Sequence, residues 1–440
     1  MIPIRLTSRA DKHAIPESKF MVPSDWRRFQ LSELINKVLE NDQAVPFDFL
    51  VGDELLRTSL GNYTQSKGLT EETILELEYV ESILPPQYLS SFKHEDWISD
   101  VDVSQPGRFL TSAYDNNVRI FSSSRGLQQS LIGHTLPVLS TCWLTPSKNF
   151  DCIASGGMDR VIRVWQVGKG DNEEESRGTH ALALHTSPVS SVRSLASAST
   201  TSDTQKKLIS AGWDGLVGYW DFSISQTEDA SGDEGEEAPK TKRRRRANGD
   251  STTGDKITKV RPALVLRSHQ GQVSRALLDA GTNGKKAYSF GLDDHAVREW
   301  DLEAGGTETS TKQSDKAIMD ADQLASPNLL VTGNGDRTVT LFDMREENSI
   351  ISLSLSGHSS SVAAVSANPN SPFLFCSAAY DSTVRIWDAR SPKQALFAMK
   401  SQHAKQGKAG GKLLCTAWDG SMIASGGEDG ELELMQSKGN

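Results

Sequence analysis

One pattern returns seven times along this 440-residue chain. A few small residues lead to an aspartate, and a short alternating run follows, closed by a large apolar side chain. The copies read SAYDNNVRIF, SGGMDRVIRVW, SAGWDGLVGYW, SFGLDDHAVREW, VTGNGDRTVTLF, SAAYDSTVRIW and SGGEDGELELM. Their aspartates are Asp115, Asp159, Asp214, Asp294, Asp336, Asp381 and Asp429, at spacings of 44, 55, 80, 42, 45 and 48 residues. In the fourth copy Asp293 also fits, but Asp294 keeps the distance to Trp300 right. A supersecondary unit of this length cannot bury its apolar face alone, so a fixed period demands stacked neighbours. Period-two alternation makes the stacked units strands.

A period of roughly 40–45 residues is that of WD repeats, with four strands to each propeller blade. A second beat precedes the first: His94, His134, His185, His269, His358 and His403, with Asp315 standing in the fifth unit. In the WD-repeat resemblance each His enters a blade and bonds the turn Asp, and a strand Ser and a Trp complete the chain. The sets so implied are His134, Ser155, Asp159 and Trp165; His185, Ser210, Asp214 and Trp220; His269, Asp294 and Trp300; His358, Ser377, Asp381 and Trp387; and His403, Ser425 and Asp429. A buried polar network of this kind must be fully satisfied. His, Asp and Ser would also compose a hydrolase triad, yet a set that recurs once per repeat is what blade architecture requires and catalysis does not. No P-loop, HExxH, GxSxG or zinc spacing occurs in the sequence. The expectation is a non-enzyme with no catalytic residue and no cofactor bound on its own.

WD repeats are offset from blades, and the last unit ends on its third strand, Glu431–Gln436. A strand left with a bare edge invites aggregation. The segment QYLSSFKHEDW, residues 87–97, supplies the missing neighbour. Residues 87–92 are expected to pair with the C-terminal strand, and His94 to open the first blade. The reading is a mainly β chain, a seven-bladed propeller over residues 81–440.

Residues 1–80 hold no repeat. IPIRLTS and KFMVPSDW read as strands, and LSELINKVLE places Leu31, Leu34, Ile35, Val38 and Leu39 at helical spacing. VPFDFLVGDELL and TILELEYV supply further strands. The order ββαβ…β, with a polar loop before the last strand, predicts a small α+β ubiquitin-like roll.

The stretch VPFDFLVGDELLRTSLGNYTQSKGLTEETILELEYVESILPPQYLSSFKHEDWISDVDV, residues 45–103, closely resembles the Ytm family of ribosome biogenesis proteins. Its animal counterpart is the WD-repeat member of the pescadillo–Bop complex. The resemblance runs through the ubiquitin-like (NLE-type) domain, the ILPPQYL junction and all seven blades. The related Notchless family shares the two-part plan but resembles an eight-bladed ring. The resemblance implies assembly of the large (60S) ribosomal subunit and maturation of its rRNAs. It implies a propeller docked on a Bop-type WD-repeat protein that also binds pescadillo, this chain being a monomer within a heterotrimer. It further implies a ubiquitin-like domain taken by midasin, an AAA ATPase that strips the complex from the pre-60S particle, in the nucleolus and nucleoplasm. In that family one carboxylate of the small domain completes a divalent-metal site held by midasin. Mapped through GLTEET, it is Glu72, with Glu71 as the competitor. Mg2+ prefers oxygen ligands in an octahedron, and a loop carboxylate can close a shell left open by the partner. The plainer reading is a solvated acidic loop, since Glu71, Glu72, Glu76 and Glu78 cluster.

The 80-residue spacing contains an acidic-then-basic insertion at about 223–260, poor in apolar residues and expected to leave the blades as a disordered loop. Within it PKTKRRRR, with Lys240, Lys242, Arg243, Arg244, Arg245 and Arg246, reads as a nuclear-import signal. Contact with rRNA phosphates competes with that reading, although the net charge of −10 weighs against RNA binding by the surface as a whole. Ser231, ahead of GDEGEE, is a weak acid-directed phosphorylation motif. No run of about 18 apolar residues exists, so no membrane span is expected. The start MIPIRLTSRADK lacks a signal-peptide core. The four cysteines form no CxxC pair, which fits a reduced compartment. A rival function arises at residues 387–390, where Trp387, Asp388, Ala389 and Arg390 resemble the WDxR box of substrate receptors for cullin-type ubiquitin ligases. There Arg390 would face the adaptor.

Overall fold

The computed structural model describes residues 1–8, 15, 19–41, 44–52, 54–69, 73–82, 84–124, 126–144, 150–168, 176–195, 207–222, 258–325, 329–345, 353–391, 393–405 and 411–437. The chain divides into two compact units, one of residues 1–91, 324–425 and 433–440, the other of residues 92–323 and 426–432.

The N-terminal roll is a five-stranded sheet in the order Lys19–Val22, Ile2–Thr7, Leu75–Glu81, Phe47–Val51, Glu54–Leu55. Ile2–Thr7 runs antiparallel to Lys19–Val22 and parallel to Leu75–Glu81, with Ile4 opposite Leu75. Alternation turns Ile2, Ile4, Leu6, Leu75, Leu77 and Tyr79 into one core. The helix Arg28–Val38 buries Leu31 and Ile35, one turn apart, in that core. This is the expected ubiquitin-like roll with one addition. The stretch read as a polar loop contains a second helix, Leu60–Ser66, started by Ser59, whose Oγ accepts the Asn62 N–H. Seven residues including Gly61, Asn62 and Ser66 form no helix by propensity; burial of Leu60 in the core decides it.

From Gln87 onward, among the described residues, the strands make seven sheets in the WD-repeat propeller arrangement. Their first strands are Ile98–Asp102, Val138–Trp143, Val189–Ser194, Val273–Leu278, Ile318–Gln323, Val362–Ala367 and Leu413–Trp418. Burial falls from the inner strands outward: Leu374–Ala379 is buried at every residue, whereas the outer strand Phe397–Lys400 of the same sheet has none buried. The seventh sheet runs Leu413–Trp418, Met422–Gly427, Glu431–Gln436, Gln87–Lys93. The expected neighbour of the C-terminal strand is therefore in place and one residue longer than expected. Its end is pinned where the His94 N–H donates to Gly430 O at 2.8 Å. Beside it the Phe92 ring lies 5.1 Å from that of Phe121.

The insertion differs from expectation at its C-terminal end. Thr258–Val260 is a strand that runs parallel to Ser176–Leu182 and adds a fifth member to the second sheet. Val260 packs against the core there, and its partner strand offered an open edge. The two runs are too far apart in sequence, and the returning one too short, for periodicity to announce the pairing. Residues 223–257, with Ser231 and the import tract from Lys240 to Arg246, lie outside the described residues.

Candidate partner-binding sites

All seven turns share one construction. The Asp Oδ1 accepts the N–H two residues on: Asn117 at Asp115, Val161 at Asp159, Leu216 at Asp214, Ala296 at Asp294, Thr338 at Asp336, Thr383 at Asp381 and Glu431 at Asp429. The residue between has positive φ in every case: Asn116, Arg160, Gly215, His295, Arg337, Ser382 and Gly430. The side chain thus replaces a backbone acceptor and tightens the turn.

Four sheets add the full chain. His134 Nδ1 lies 2.9 Å from Asp159 and Nε2 2.8 Å from Ser155 Oγ, which also accepts from Trp165 Nε1 at 2.8 Å. In the third sheet His185 meets Asp214 at 3.1 Å and Ser210 at 3.0 Å, and Trp220 donates to Ser210 at 3.1 Å. In the sixth His358 meets Asp381 at 3.1 Å and Ser377 at 2.7 Å, with Trp387 donating at 2.8 Å. In the fourth His269 meets Asp294 at 2.8 Å, and the hydroxyl joining His269 to Trp300 is Ser289, which sequence reasoning left out although SFG occupies the register of SGG. A carboxylate can only accept, so Nδ1–H faces the aspartate, and the serine oxygen accepts the indole N–H. Burial alone would raise the Asp214 carboxyl. The bonds from His185, the Thr186 N–H and the Leu216 N–H outweigh it and hold the group at about 2. Ser155, Ser210, Ser289 and Ser377 have no exposed surface. No substrate can reach those hydroxyls, so the arrangement holds blades together and is not a set of hydrolase triads.

Three sheets depart from the pattern. In the first, His94 Nε2 bonds Thr111 Oγ1 at 2.8 Å while Asp115 pairs with Arg119 at 2.6 Å. Burial, with the Arg119 charge nearby, brings His94 down to about 4. In the fifth, the position four residues ahead of the first strand is Ser314, as His94 precedes Ile98 and His134 precedes Val138. Ser314 is buried and Asp315, expected in that role, is exposed. Thr332, Asn334 and Thr340 form a hydroxyl–amide cluster there instead. In the seventh, His403 stands in the short helix Gln402–Lys405, and its side chain lies outside the described residues. Ser425 Oγ is buried with no hydrogen-bond partner among the described residues.

A charge lattice on the first strands was not anticipated. Arg193 reaches Asp100, which also accepts from Ser140 Oγ and the Thr141 N–H, and Arg275 pairs with Asp320 at 2.7 Å. Burial would raise Asp100, but the Arg193 and Arg275 charges and the Ser140 bond hold it below the usual carboxylate range. Asp100, Ser140, Ser191, Arg275 and Asp320 each stand two residues after the first residue of their strands, a signal the repeat alignment contained.

Exposed apolar side chains stand at one end of the first three sheets. At the turn end of the first three sheets the residue before each Asp bonds the residue before the first strand: Tyr114 to Trp97, Met158 to Pro137, Trp213 to Pro188. Trp97, Leu136 and Trp213 are exposed there at 42, 48 and 38 %. On the ubiquitin-like fold Glu71 and Glu72 lie outside the described residues, in sequence between the exposed Leu69 and the exposed Ile74. Among the described residues no group of three or more His, Cys, Asp or Glu is placed to hold a metal. Arg390 does not project as an adaptor-facing residue would. It holds Asp388 at 2.7 Å, lies over the Phe373 ring at 4.7 Å and comes within 3.9 Å of Glu78.

The NLE (NUC135) domain family matches residues 2–64, and the WD domain, G-beta repeat family matches residues 86–122, 125–166 and 350–388. A ribosome biogenesis protein YTM1 of Laccaria bicolor is 35% identical over 443 residues, covering 99% of this chain and 94% of the relative. The Schizosaccharomyces pombe protein of that name is 32% identical over 444 residues, covering 99% and 96%.

Proposed function

The chain belongs to the Ytm1 family of ribosome biogenesis proteins, and from that premise we propose a non-enzymatic assembly factor for the large ribosomal subunit with two binding ends. The propeller docks on a Bop-type WD-repeat protein in a complex with pescadillo. The ubiquitin-like domain, residues 1–80, is the handle engaged by the midasin ATPase for release from the pre-60S particle. The observation that carries the docking end is the exposure of Trp97, Leu136 and Trp213 on one end of three consecutive sheets. Large aromatic side chains left in water beside rigid turns are the usual anchors of protein interfaces. The handle end rests on the acidic sequence Glu71–Glu72, between the exposed Leu69 and the exposed Ile74. There Glu72, or Glu71 beside it, would give one carboxylate oxygen to Mg2+ in the partner, an ion that takes hard oxygen donors. The import tract Lys240, Lys242, Arg243, Arg244, Arg245 and Arg246 would bring the chain to the nucleus, and the nucleolus and nucleoplasm are its proposed location.

The test uses the full chain with each purified partner. Trp97→Ala with Trp213→Ala should weaken binding to the Bop-type propeller by about thirtyfold or more, the loss of a hot spot worth about 2 kcal/mol. Glu71→Ala with Glu72→Ala should abolish binding to the midasin metal domain and leave the propeller partner bound, with the single changes telling which carboxylate is the ligand. Unchanged affinity in either assay overturns that half of the proposal.

A further inference from the structure

The loop after the sixth sheet's third strand is already occupied. From Asp388 to Ala395 it makes a row of polar contacts with the ubiquitin-like fold of the same compact unit. The Leu55 N–H donates to Ser391 Oγ at 3.3 Å, and Arg57 Nη2 donates to Ala395 O at 2.9 Å. Lys393 pairs with Glu54, which Lys67 holds from the other side at 2.7 Å. Arg390, braced by Asp388 and the Phe373 ring, stands 3.9 Å from Glu78. Ser391 is buried at 5 % exposure, so this is an enclosed contact at its centre with charged pairs at its rim.

We propose that the loop carrying Arg390, Ser391 and Lys393 is an intramolecular docking site for the ubiquitin-like domain, which holds the small domain against the sixth blade through Glu54, Leu55, Arg57 and Glu78. The WDxR-like box is thereby taken by the chain's own N-terminal domain and closed to an outside adaptor. The contact is polar and partly solvated, its Glu54–Lys393 pair being 24 and 62 % exposed. Such pairs are individually weak and sensitive to salt. Docking is therefore reversible, and the handle exchanges between a held and a released position. This inference concerns the free chain and does not depend on which partner takes the handle.

Amide hydrogen exchange on the full-length protein tests it. At low salt the amides of Glu54 to Arg57 should be protected. Lys393→Glu should speed their exchange roughly fivefold, the scale of one exposed ion pair, and 1 M salt should act in the same direction. Glu54→Lys alone should do likewise, and Glu54→Lys with Lys393→Glu should restore protection. The amides of Ile2–Thr7 report whether the small domain stays folded, and should not change. Exchange at residues 54–57 that ignores Lys393→Glu, or a charge swap no better than either single change, overturns the proposal.

Discussion

Arg193 holds Asp100 with both terminal nitrogens, at 2.8 and 3.0 Å. The pair joins the first strand of the first sheet to that of the third, with Ser140 of the second bonded to the same carboxylate. Both groups are nearly enclosed, at 17 and 8 % side-chain exposure. Removing one partner from such a pair leaves a buried charge uncompensated, a loss of about 3–5 kcal/mol. Arg193→Met should therefore lower the urea midpoint strongly at unchanged slope. Asp100→Asn with Arg193→Met should recover a large part of the loss, since no lone charge then remains. A double variant as unstable as the single one would contradict this account.

The turn geometry makes a prediction of opposite sign. Arg160 has φ +67° directly after Asp159, in the left-handed region where a Cβ costs about 1–2 kcal/mol. Glycine removes that strain but adds freedom to the unfolded chain. The net expectation for Arg160→Gly is a gain of about 0.5–1 kcal/mol, and for Arg160→Val a loss of about 1 kcal/mol or more. Thermal unfolding of the two variants should move in opposite directions. Gly430, at φ +65°, shows the other side: an added Cβ would sit 3.3 Å from both His94 O and Asp96 O. Gly430→Ala should destabilise.

What was legible in the sequence follows from this. The seven aspartates could be counted because each bonds its own turn, so residue type and spacing report local geometry directly. Ser289 and Ser314 were missed or misplaced because register, and not residue type, defines their positions. Asp315 takes the place of the histidine in the fifth unit when the series is read by residue type, while the strand start at Ile318 shows that the slot lies one residue earlier. The lattice of Asp100, Arg193, Arg275 and Asp320 joins residues tens of positions apart, and only sheet-against-sheet packing brings them together. The helix Leu60–Ser66 and the strand Thr258–Val260 have weak local propensity and exist through the surfaces they meet. The docking loop was visible only as a WDxR-like box; the N-terminal residues that contact it gave no sign of it.

Titration of His94 should appear in the acid branch of stability. The unfolded side chain titrates near 6.5, and burial beside Arg119 lowers the folded value to about 4. Below about pH 6.5 the unfolded chain binds the proton more readily, so stability present at neutral pH is lost as the pH falls towards 4. Between pH 7 and 5 the loss from this group is about 2 kcal/mol. His269, lowered chiefly by burial, adds to it with the same sign. Asp214 acts in a lower window, its contribution vanishing as the pH falls from the ordinary carboxylate range through about 2. Urea unfolding at pH 7 and pH 5 measures the upper window. His94→Leu should be less stable at pH 7 and should lose less on going to pH 5; an equal loss in both proteins would remove His94 as the cause.

The seventh sheet depends on chain from the far end of the sequence. Without Gln87–Lys93 the strand Glu431–Gln436 would present a row of unpaired backbone groups, with Leu432, Leu434 and Met435 buried along it. A bare edge of this kind pairs with other copies. Two truncations separate closure from loss of the small domain. A chain beginning at residue 84 keeps the closing strand, the His94–Gly430 bond and the Phe92–Phe121 contact, and should stay monomeric and fold cooperatively. A chain beginning at residue 95 lacks all three and should aggregate or unfold at markedly lower temperature. A synthetic peptide of residues 84–96 added to the shorter chain should restore solubility by taking the vacant place in the sheet. Size-exclusion chromatography and thermal unfolding of the two chains decide it: a stable, monomeric chain beginning at residue 95 would show that the N-terminal strand only covers the sheet and does not hold it closed.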